Sequence, residues 1–309
     1  MTAHTTRIGF VGLGNMGYGM ATQLASKGFQ VTGYDLRAQV VQDLAAKTGA
    51  KAASSQHDAC HDQAALIVMT QNIDQARMVL LGESSDGGSS DNPISALQKD
   101  AVIILMSTVS PQDSRALAEQ INKIRPDLGF IDAPVSGGSP GANSGTLTIM
   151  ASGSPSHFTK VKAVLEAMGD KVHHVGHEVG QGQSMKAINQ VLCGVHLVAA
   201  AEALSMAKAS GIDPALALGV VRNSAAGSWM LSNRAQRMLE EEPQCASSVA
   251  TWSKDMGIVM DVARGQHVHA PLAAVAAQQF NAAMARGLKD EDDTTLIRQY
   301  DFLNGNDRR

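Results

Sequence analysis

The chain has 309 residues, 44% hydrophobic and 17% charged, with 25 basic against 29 acidic side chains for a net charge of −4. That length allows two domains with a sizeable core, the composition excludes a disordered chain, and the slightly acidic balance gives no electrostatic reason to expect nucleic acid or an anionic membrane. Cys60, Cys193 and Cys245 are too scattered for a zinc or redox pattern, and their odd number suits a reducing compartment.

The polar N-terminus lacks the apolar stretch of a secretory signal, and no uninterrupted apolar run reaches about 18 residues. A cytoplasmic protein without a membrane partner is expected. Residues 8–11, 30–34, 65–69, 102–105, 130–132 and 147–151 are short β-like runs. Helical patterns fall between several of them, at 16–27, 38–47, 74–80, 112–124 and 156–168. This alternation predicts an α/β fold, a Rossmann-type doubly wound parallel sheet with helices on both faces. Segment 83–92, ESSDGGSSDN, is too polar to pack and reads as a surface loop.

From about Gly180 the β-branched runs fade and Ala, Leu and Met dominate. Residues 183–210 read as one long helix, apolar almost all round, which fits burial between domains or subunits. Further helical segments follow at 214–224, 229–241, 251–263, 271–286 and 293–300, with Pro214 and Pro271 at first turns. The expected organisation is a Rossmann domain over 1–173, then an all-α domain over 174–309 that includes the long interdomain helix.

The run IGFVGLGNMGYGM carries Gly12, Leu13, Gly14, Asn15, Met16 and Gly17 between a β run and a helix. That is the context a dinucleotide fingerprint needs. The first glycine allows the turn, the second lets backbone approach a pyrophosphate, and the third lets helix and strand pack closely. The next strand ends at Asp35, whose carboxylate can accept both hydroxyls of an adenosine ribose and would repel a 2′-phosphate. Leu36 follows it rather than an arginine, although Arg37 is near, so NAD is the expected cofactor. Later strands end in MTQNID and MSTVSP, which makes Met69, Thr70, Asn72 and Thr108 candidates for the nicotinamide side; turn capping is the equal alternative for each.

Ser136, Gly137 and Gly138 supply a hydroxyl and a flexible run of N–H groups able to hold a carboxylate. Lys186 lies in the first turns of the long helix, and Asn189, three residues on, shares its face. Burial of a lysine beside a domain boundary is costly unless the amine is used or paired, and such surroundings favour the neutral amine that general acid–base chemistry needs.

The ordered motifs GLGNMG, ST-x-x-P, DAPVSGG, G-x-G-x-x-x-K-x-x-N and SKDMGIVMD resemble the β-hydroxyacid dehydrogenase family, which includes 3-hydroxyisobutyrate dehydrogenase and tartronate semialdehyde reductase. The resemblance covers nearly the whole chain. It implies that Ser136, Gly137 and Gly138 bind a substrate carboxylate, that Lys186 is the acid/base and that Asn189 binds substrate. It also implies that Lys254, beside Asp255, closes on the cofactor, and that the chain forms a homodimer or homotetramer. One departure is Leu105, where the family often has an acidic residue.

Within the family, the stretches GVHLVAAAEALSMAKASGID, NSAAGSWMLSNR and DEDDTTLIRQY look most like the L-threonate dehydrogenases. The implied reaction is hydride transfer between NAD and a small hydroxy acid, L-threonate or a related four-carbon sugar acid. Two alternatives stay open: 3-hydroxyisobutyrate or tartronate semialdehyde chemistry, and a non-catalytic NAD-binding scaffold. Trp229 is a candidate to shape the substrate pocket, with helix packing as the other reading. His173, His174 and His177 suggest a metal only superficially, since no carboxylate is placed to join them, and no metal is expected. The acidic run at 290–293 is expected to cap the last helix.

Overall fold

In the computed structural model, which describes residues 6–82 and 92–306, the β-like runs pair into one nine-stranded sheet. The elements run β1 (Arg7–Val11), α1 (Gly17–Ser26), β2 (Gln30–Tyr34), α2 (Ala38–Thr48), β3 (Lys51–Ala52), α3 (Gln56–Cys60), β4 (Ala65–Val68) and α4 (Ile73–Leu81). They continue with β5 (Val102–Leu105), α5 (Pro111–Ile124), β6 (Gly129–Asp132), β7 (Val135–Ser136), α6 (Gly138–Ser144), β8 (Thr148–Ser152), α7 (Pro155–Glu166), β9 (Lys171–Gly176) and α8 (Gln181–Ala209). The order across the sheet is β3-β2-β1-β4-β5-β6-β8-β7, with β9 beside β8. The first six strands are parallel, and β8 is antiparallel to β6 and β7. The order reverses between β1 and β4, the switch point at which open α/β sheets bind ligands beyond their strand ends.

Alternation within the strands builds a core on each face. Ile8, Phe10, Ile67, Ile104 and Ile131 join Met20 and Leu24 of α1 on one side. Val11, Leu66, Val68, Ile103, Leu105 and Phe130 join Leu117 and Ile121 of α5 on the other. Caps set the helix starts. Ser110 Oγ accepts the Asp113 N–H and Ser154 Oγ accepts the His157 N–H, while Pro111 and Pro155 fill first turns where no N–H is needed.

The chain divides into two compact units, Met1–Lys186 and Ala187–Arg309, and the division falls inside α8. The second unit is helical: the rest of α8, α9 (Pro214–Val221), α10 (Trp229–Arg234), α11 (Val249–Gly265), α12 (Pro271–Ala285) and α13 (Leu296–Leu303). Its core holds Leu197, Leu204, Met230, Met256 and Leu296, with the Trp252 and Phe280 rings stacked at 5.5 Å. A Cβ on Gly194 would stand 2.5 Å from Met256 Sδ, so that glycine sets how closely α8 and α11 approach. Helix α8 is long and apolar enough to cross a membrane by length and composition, and half of its most apolar window is buried within the chain.

Several details differ from the sequence expectation. The predicted helix at 229–241 breaks after Arg234 into a short 3-10 turn, Arg237–Leu239. The acidic run does more than cap a helix end. Asp292 accepts the Thr294 N–H, but Asp293 is fully buried, accepting Trp252 Nε1–H at 2.7 Å and pairing with Arg234 Nε at 3.1 Å. The predicted loop at 83–92 lies outside the described residues except for Asn92, which caps the turn Pro93–Ala96.

Candidate active site

The turn after β1 is shaped by its glycines. Gly12 has φ +96°, and a Cβ there would stand 2.3 Å from the Met69 carbonyl oxygen. At Gly17 a Cβ would stand 1.9 Å from the Gly12 carbonyl oxygen. The chain's own packing therefore requires both. Gly14 is different, because nothing lies within 4 Å of its Cβ position. A glycine that no neighbour demands leaves room for a ligand backbone-close, and the Met16 side chain at the N-cap of α1 makes no capping hydrogen bond. These features fit the pyrophosphate of a dinucleotide.

Asp35 closes the same turn. Its Oδ2 accepts the Leu13 N–H at 2.8 Å, and Arg37 donates to it through both side chain and backbone. Burial pushes the Asp35 carboxyl up, but the hydrogen bonds from Arg37 and Leu13 outweigh it and hold the group below the usual carboxylate range. Beyond β4 and β5, Thr70 N–H donates to Ser107 Oγ at 2.8 Å, and the two hydroxyls lie 3.1 Å apart. Asn72 caps α4 by accepting the Gln75 N–H, and Met69 N–H bonds Val11 O. The candidates Met69 and Thr70 thus take part in joining strand ends, Asn72 caps the helix that follows, and Thr108 follows Ser107 in the same turn.

The substrate-side candidates in the first unit meet at one point. Lys186, 7% exposed, donates from Nζ to the Val135 carbonyl at 2.8 Å. That carbonyl immediately precedes Ser136, Gly137 and Gly138. Gly137 and Gly138 both have positive φ, +133° and +61°, so two successive residues hold a conformation that favours glycine. The amine and the Ser-Gly-Gly turn are brought together by burial and one hydrogen bond.

The helix turn that carries Lys186 is held by partners far apart in the sequence. Asp132, at the end of β6, accepts the Gly180 N–H at 2.9 Å, the Gln183 N–H at 2.9 Å and the Ser152 hydroxyl at 2.5 Å. Ser152 Oγ accepts the Gly182 N–H. Gln183, fully buried, accepts the Val109 N–H and donates to the Ser107 carbonyl. The first turn of α8 is thereby tied to the ends of three strands. Burial raises the Asp132 carboxyl above its ordinary value, with the hydrogen bonds from Ser152, Gly180 and Gln183 opposing. The signal in the sequence was polar Gln183 and small Gly182 opening an otherwise apolar helix.

In the second unit, Asn189 Nδ2 donates to Gln190 Oε1 at 2.8 Å, and Gln190 Nε2 donates to Asp255 Oδ2 at 2.6 Å. Asp255 pairs with Lys254 Nζ at 3.0 Å. Gln190 and Asp255 are buried, and with Asn189 and Lys254 they form one polar chain linking α8 to α11. Gln190 follows directly on the G-x-G-x-x-x-K-x-x-N motif and belongs to none of the sequence motifs. Trp229 opens α10 and is 55% exposed, while its neighbour Met230 packs in the core. His174 stacks on Phe158 at 4.3 Å and bonds the Gly153 carbonyl. Among the described residues no group of three or more His, Cys, Asp or Glu side chains is placed to hold a metal ion.

Residues 7–176 match the model of the NAD binding domain of 6-phosphogluconate dehydrogenase. Residues 180–300 match that of NAD-binding of NADP-dependent 3-hydroxyisobutyrate dehydrogenase. An L-threonate dehydrogenase of Pectobacterium atrosepticum is 35% identical over 96% of this chain and 94% of its own. One from Escherichia coli is 34% identical over 97% and 96%. Among solved structures, 3-hydroxyisobutyrate dehydrogenase from Salmonella typhimurium superposes with a TM-score of 0.87 at 34% identity, covering 95% of this chain and 99% of that one.

Proposed function

The chain belongs to the β-hydroxyacid dehydrogenase family and is a nicotinamide-dinucleotide-dependent dehydrogenase of small hydroxy acids, and within that family we propose that it oxidises L-threonate or a related four-carbon sugar acid with NAD. Relatives named L-threonate dehydrogenase, similar over nearly their full length, support the substrate. The name of the Salmonella typhimurium structure supports a second reading, 3-hydroxyisobutyrate; tartronate semialdehyde chemistry stands behind it on the sequence resemblance alone. The position of Asp35 at the end of β2 supports NAD, since its carboxylate suits a ribose diol.

One observation carries the catalytic assignment: the buried Lys186 amine held on the carbonyl that precedes Ser136. Bound along Gly12–Gly17, the nicotinamide dinucleotide supplies the acceptor for hydride. The Ser136 hydroxyl and the Gly137 and Gly138 N–H groups hold the substrate carboxylate. Lys186 Nζ takes the hydroxyl proton in oxidation and returns it in reduction, a general base and acid at one atom. Asn189, on the same helix, orients the hydroxyl, and Lys254 serves the cofactor. Trp229 shapes the pocket. Positioning supplies most of the acceleration, because α8 enters its first turn already fixed by Asp132, Ser152 and Gln183. A homodimer or homotetramer in the cytoplasm completes the proposal. Stopped assays of Lys186→Ala test the assignment: NADH binding is retained while turnover collapses, and full turnover would end it.

A further inference from the structure

The polar chain between α8 and α11 has a direction. At its buried end stands Asp255, and a carboxylate accepts hydrogen bonds without donating any. Gln190 therefore turns its Nε2 to Asp255 Oδ2, at 2.6 Å, which leaves its Oε1 to face Asn189. Asn189 answers with Nδ2, which lies 2.8 Å from Gln190 Oε1 and 3.4 Å from Cys193 Sγ. Both N–H groups of the Asn189 amide are thus turned toward the protein, and Oδ1 is the atom left for a ligand. Asn189 is half-buried, whereas Gln190 is only 5% exposed, so the acceptor at Asp255 sets the Asn189 amide through a side chain that water scarcely reaches.

That direction bears on the substrate. An amide oxygen accepts and cannot donate. In the proposed reaction the single proton of the reacting hydroxyl goes to Lys186 Nζ, and the carbonyl that results has none. Neither form offers Asn189 Oδ1 a hydrogen. Lys186 and Asn189 lie three residues apart on α8 and share one of its faces. The group that meets Oδ1 is then a donor beside the reacting carbon, which in a small hydroxy acid is a second hydroxyl.

We propose that Gln190 and Asp255 are positioning residues that fix Asn189 as an acceptor, and that the site thereby selects acids with a second hydroxyl beside the reacting one. Asn189 orients the reacting hydroxyl by holding its neighbour. This rests on reading Lys186 and Asn189 as substrate-side residues and narrows the substrate class within that reading. L-Threonate carries such a neighbour. The branch of 3-hydroxyisobutyrate is a methyl group, which has no hydrogen to donate.

The test compares kcat/KM with NAD for L-threonate, its 4-deoxy analogue 2,3-dihydroxybutanoate and its 3-deoxy analogue 2,4-dihydroxybutanoate, each of matching configuration and oxidised at C2. The 4-deoxy acid keeps the adjacent hydroxyl and the 3-deoxy acid lacks it. The wild type should favour the 4-deoxy acid over the 3-deoxy acid by about tenfold or more. In Asp255→Asn the Lys254 ammonium holds the one remaining oxygen, so the new N–H faces Gln190, and both following amides turn over. Asn189 then presents N–H outward, and the ratio should fall severalfold toward one. Weaker folding or cofactor binding lowers both acids alike and leaves the ratio in place. Gln190→Met, which interrupts the relay, should also lower the ratio, and it carries the test if Asp255→Asn fails to fold. Equal use of the two analogues by the wild type, or a ratio unmoved in the folded variants, would overturn the proposal while the dehydrogenase assignment stands. Turnover of none of the three acids by a chain that binds NADH would overturn the four-carbon reading and this proposal with it.

Discussion

The Ser152 hydroxyl donates to Asp132 Oδ1 at 2.5 Å and accepts the Gly182 N–H at 2.8 Å, so one buried serine joins the end of β6 to the first turn of α8. With the Gly180 and Gln183 N–H groups on the same carboxylate, this pair caps the start of the helix that carries Lys186. Helix N-termini leave N–H groups without intrahelical partners, and burial makes each one costly to abandon. Asp132→Ala should cost about 3 kcal/mol, read as a fall in chemical-denaturation midpoint. Ser152→Ala should cost less, because Asp132 keeps its two backbone donors. Equal and negligible losses in both would contradict the anchoring role.

The three glycines of the fingerprint should separate by substitution. Gly17→Ala puts a Cβ 1.9 Å from a backbone oxygen and Gly12→Ala adds positive φ to a 2.3 Å overlap, so both should lower the melting temperature by several degrees. Gly14→Ala meets open space and should leave the melting temperature alone while weakening NADH severalfold. Calorimetry with fluorescence titration reads both quantities. A Gly14→Ala variant that melts early but binds normally would reverse the assignment.

Asp293 gives the helical unit a pH dependence. Burial lifts its carboxyl to about 6, the Trp252 and Arg234 contacts and the nearby Asp292 charge modifying that rise. A carboxyl raised in the folded state favours the neutral form, so its contribution is present below the ordinary carboxylate value and is lost as pH rises through about 6. The melting-temperature gap between wild type and Asp293→Asn should therefore change between pH 5 and pH 7, in the direction that disfavours the wild type at the higher pH. A gap constant across that range would count against it.

What the sequence carried and what it hid follow from the range of each interaction. The turn at Gly12–Gly17, the strand at Gln30–Tyr34 and the long helix are set by residues a few positions apart, and periodicity reads them well. The strands Lys51–Ala52 and Val135–Ser136 are two residues long, too short for any alternation to register. Lys171–Gly176 was obscured by its paired histidines. Asp132 stood within a recognised motif, yet its partners at Ser152, Gly180 and Gln183 lie 20 to 51 positions away. No local pattern shows such pairing. Arg37 was visible beside Asp35, but only the geometry shows that it fills the carboxylate.

Lys186 should divide binding from chemistry. Removing its amine leaves the dinucleotide turn untouched, so Lys186→Ala is expected to bind NADH normally while turnover falls about 10²- to 10⁴-fold. Stopped-flow single turnovers would show the loss in the hydride step. A loss confined to KM would reassign Lys186 to substrate binding.

The most direct test of the account is initial-rate absorbance at 340 nm with purified protein and NAD, across L-threonate, D-threonate, L- and D-erythronate, D-glycerate and 3-hydroxyisobutyrate. The account predicts that L-threonate or another of the four-carbon acids reduces NAD well ahead of the three-carbon and branched substrates. Fastest turnover of 3-hydroxyisobutyrate or D-glycerate would contradict the four-carbon assignment.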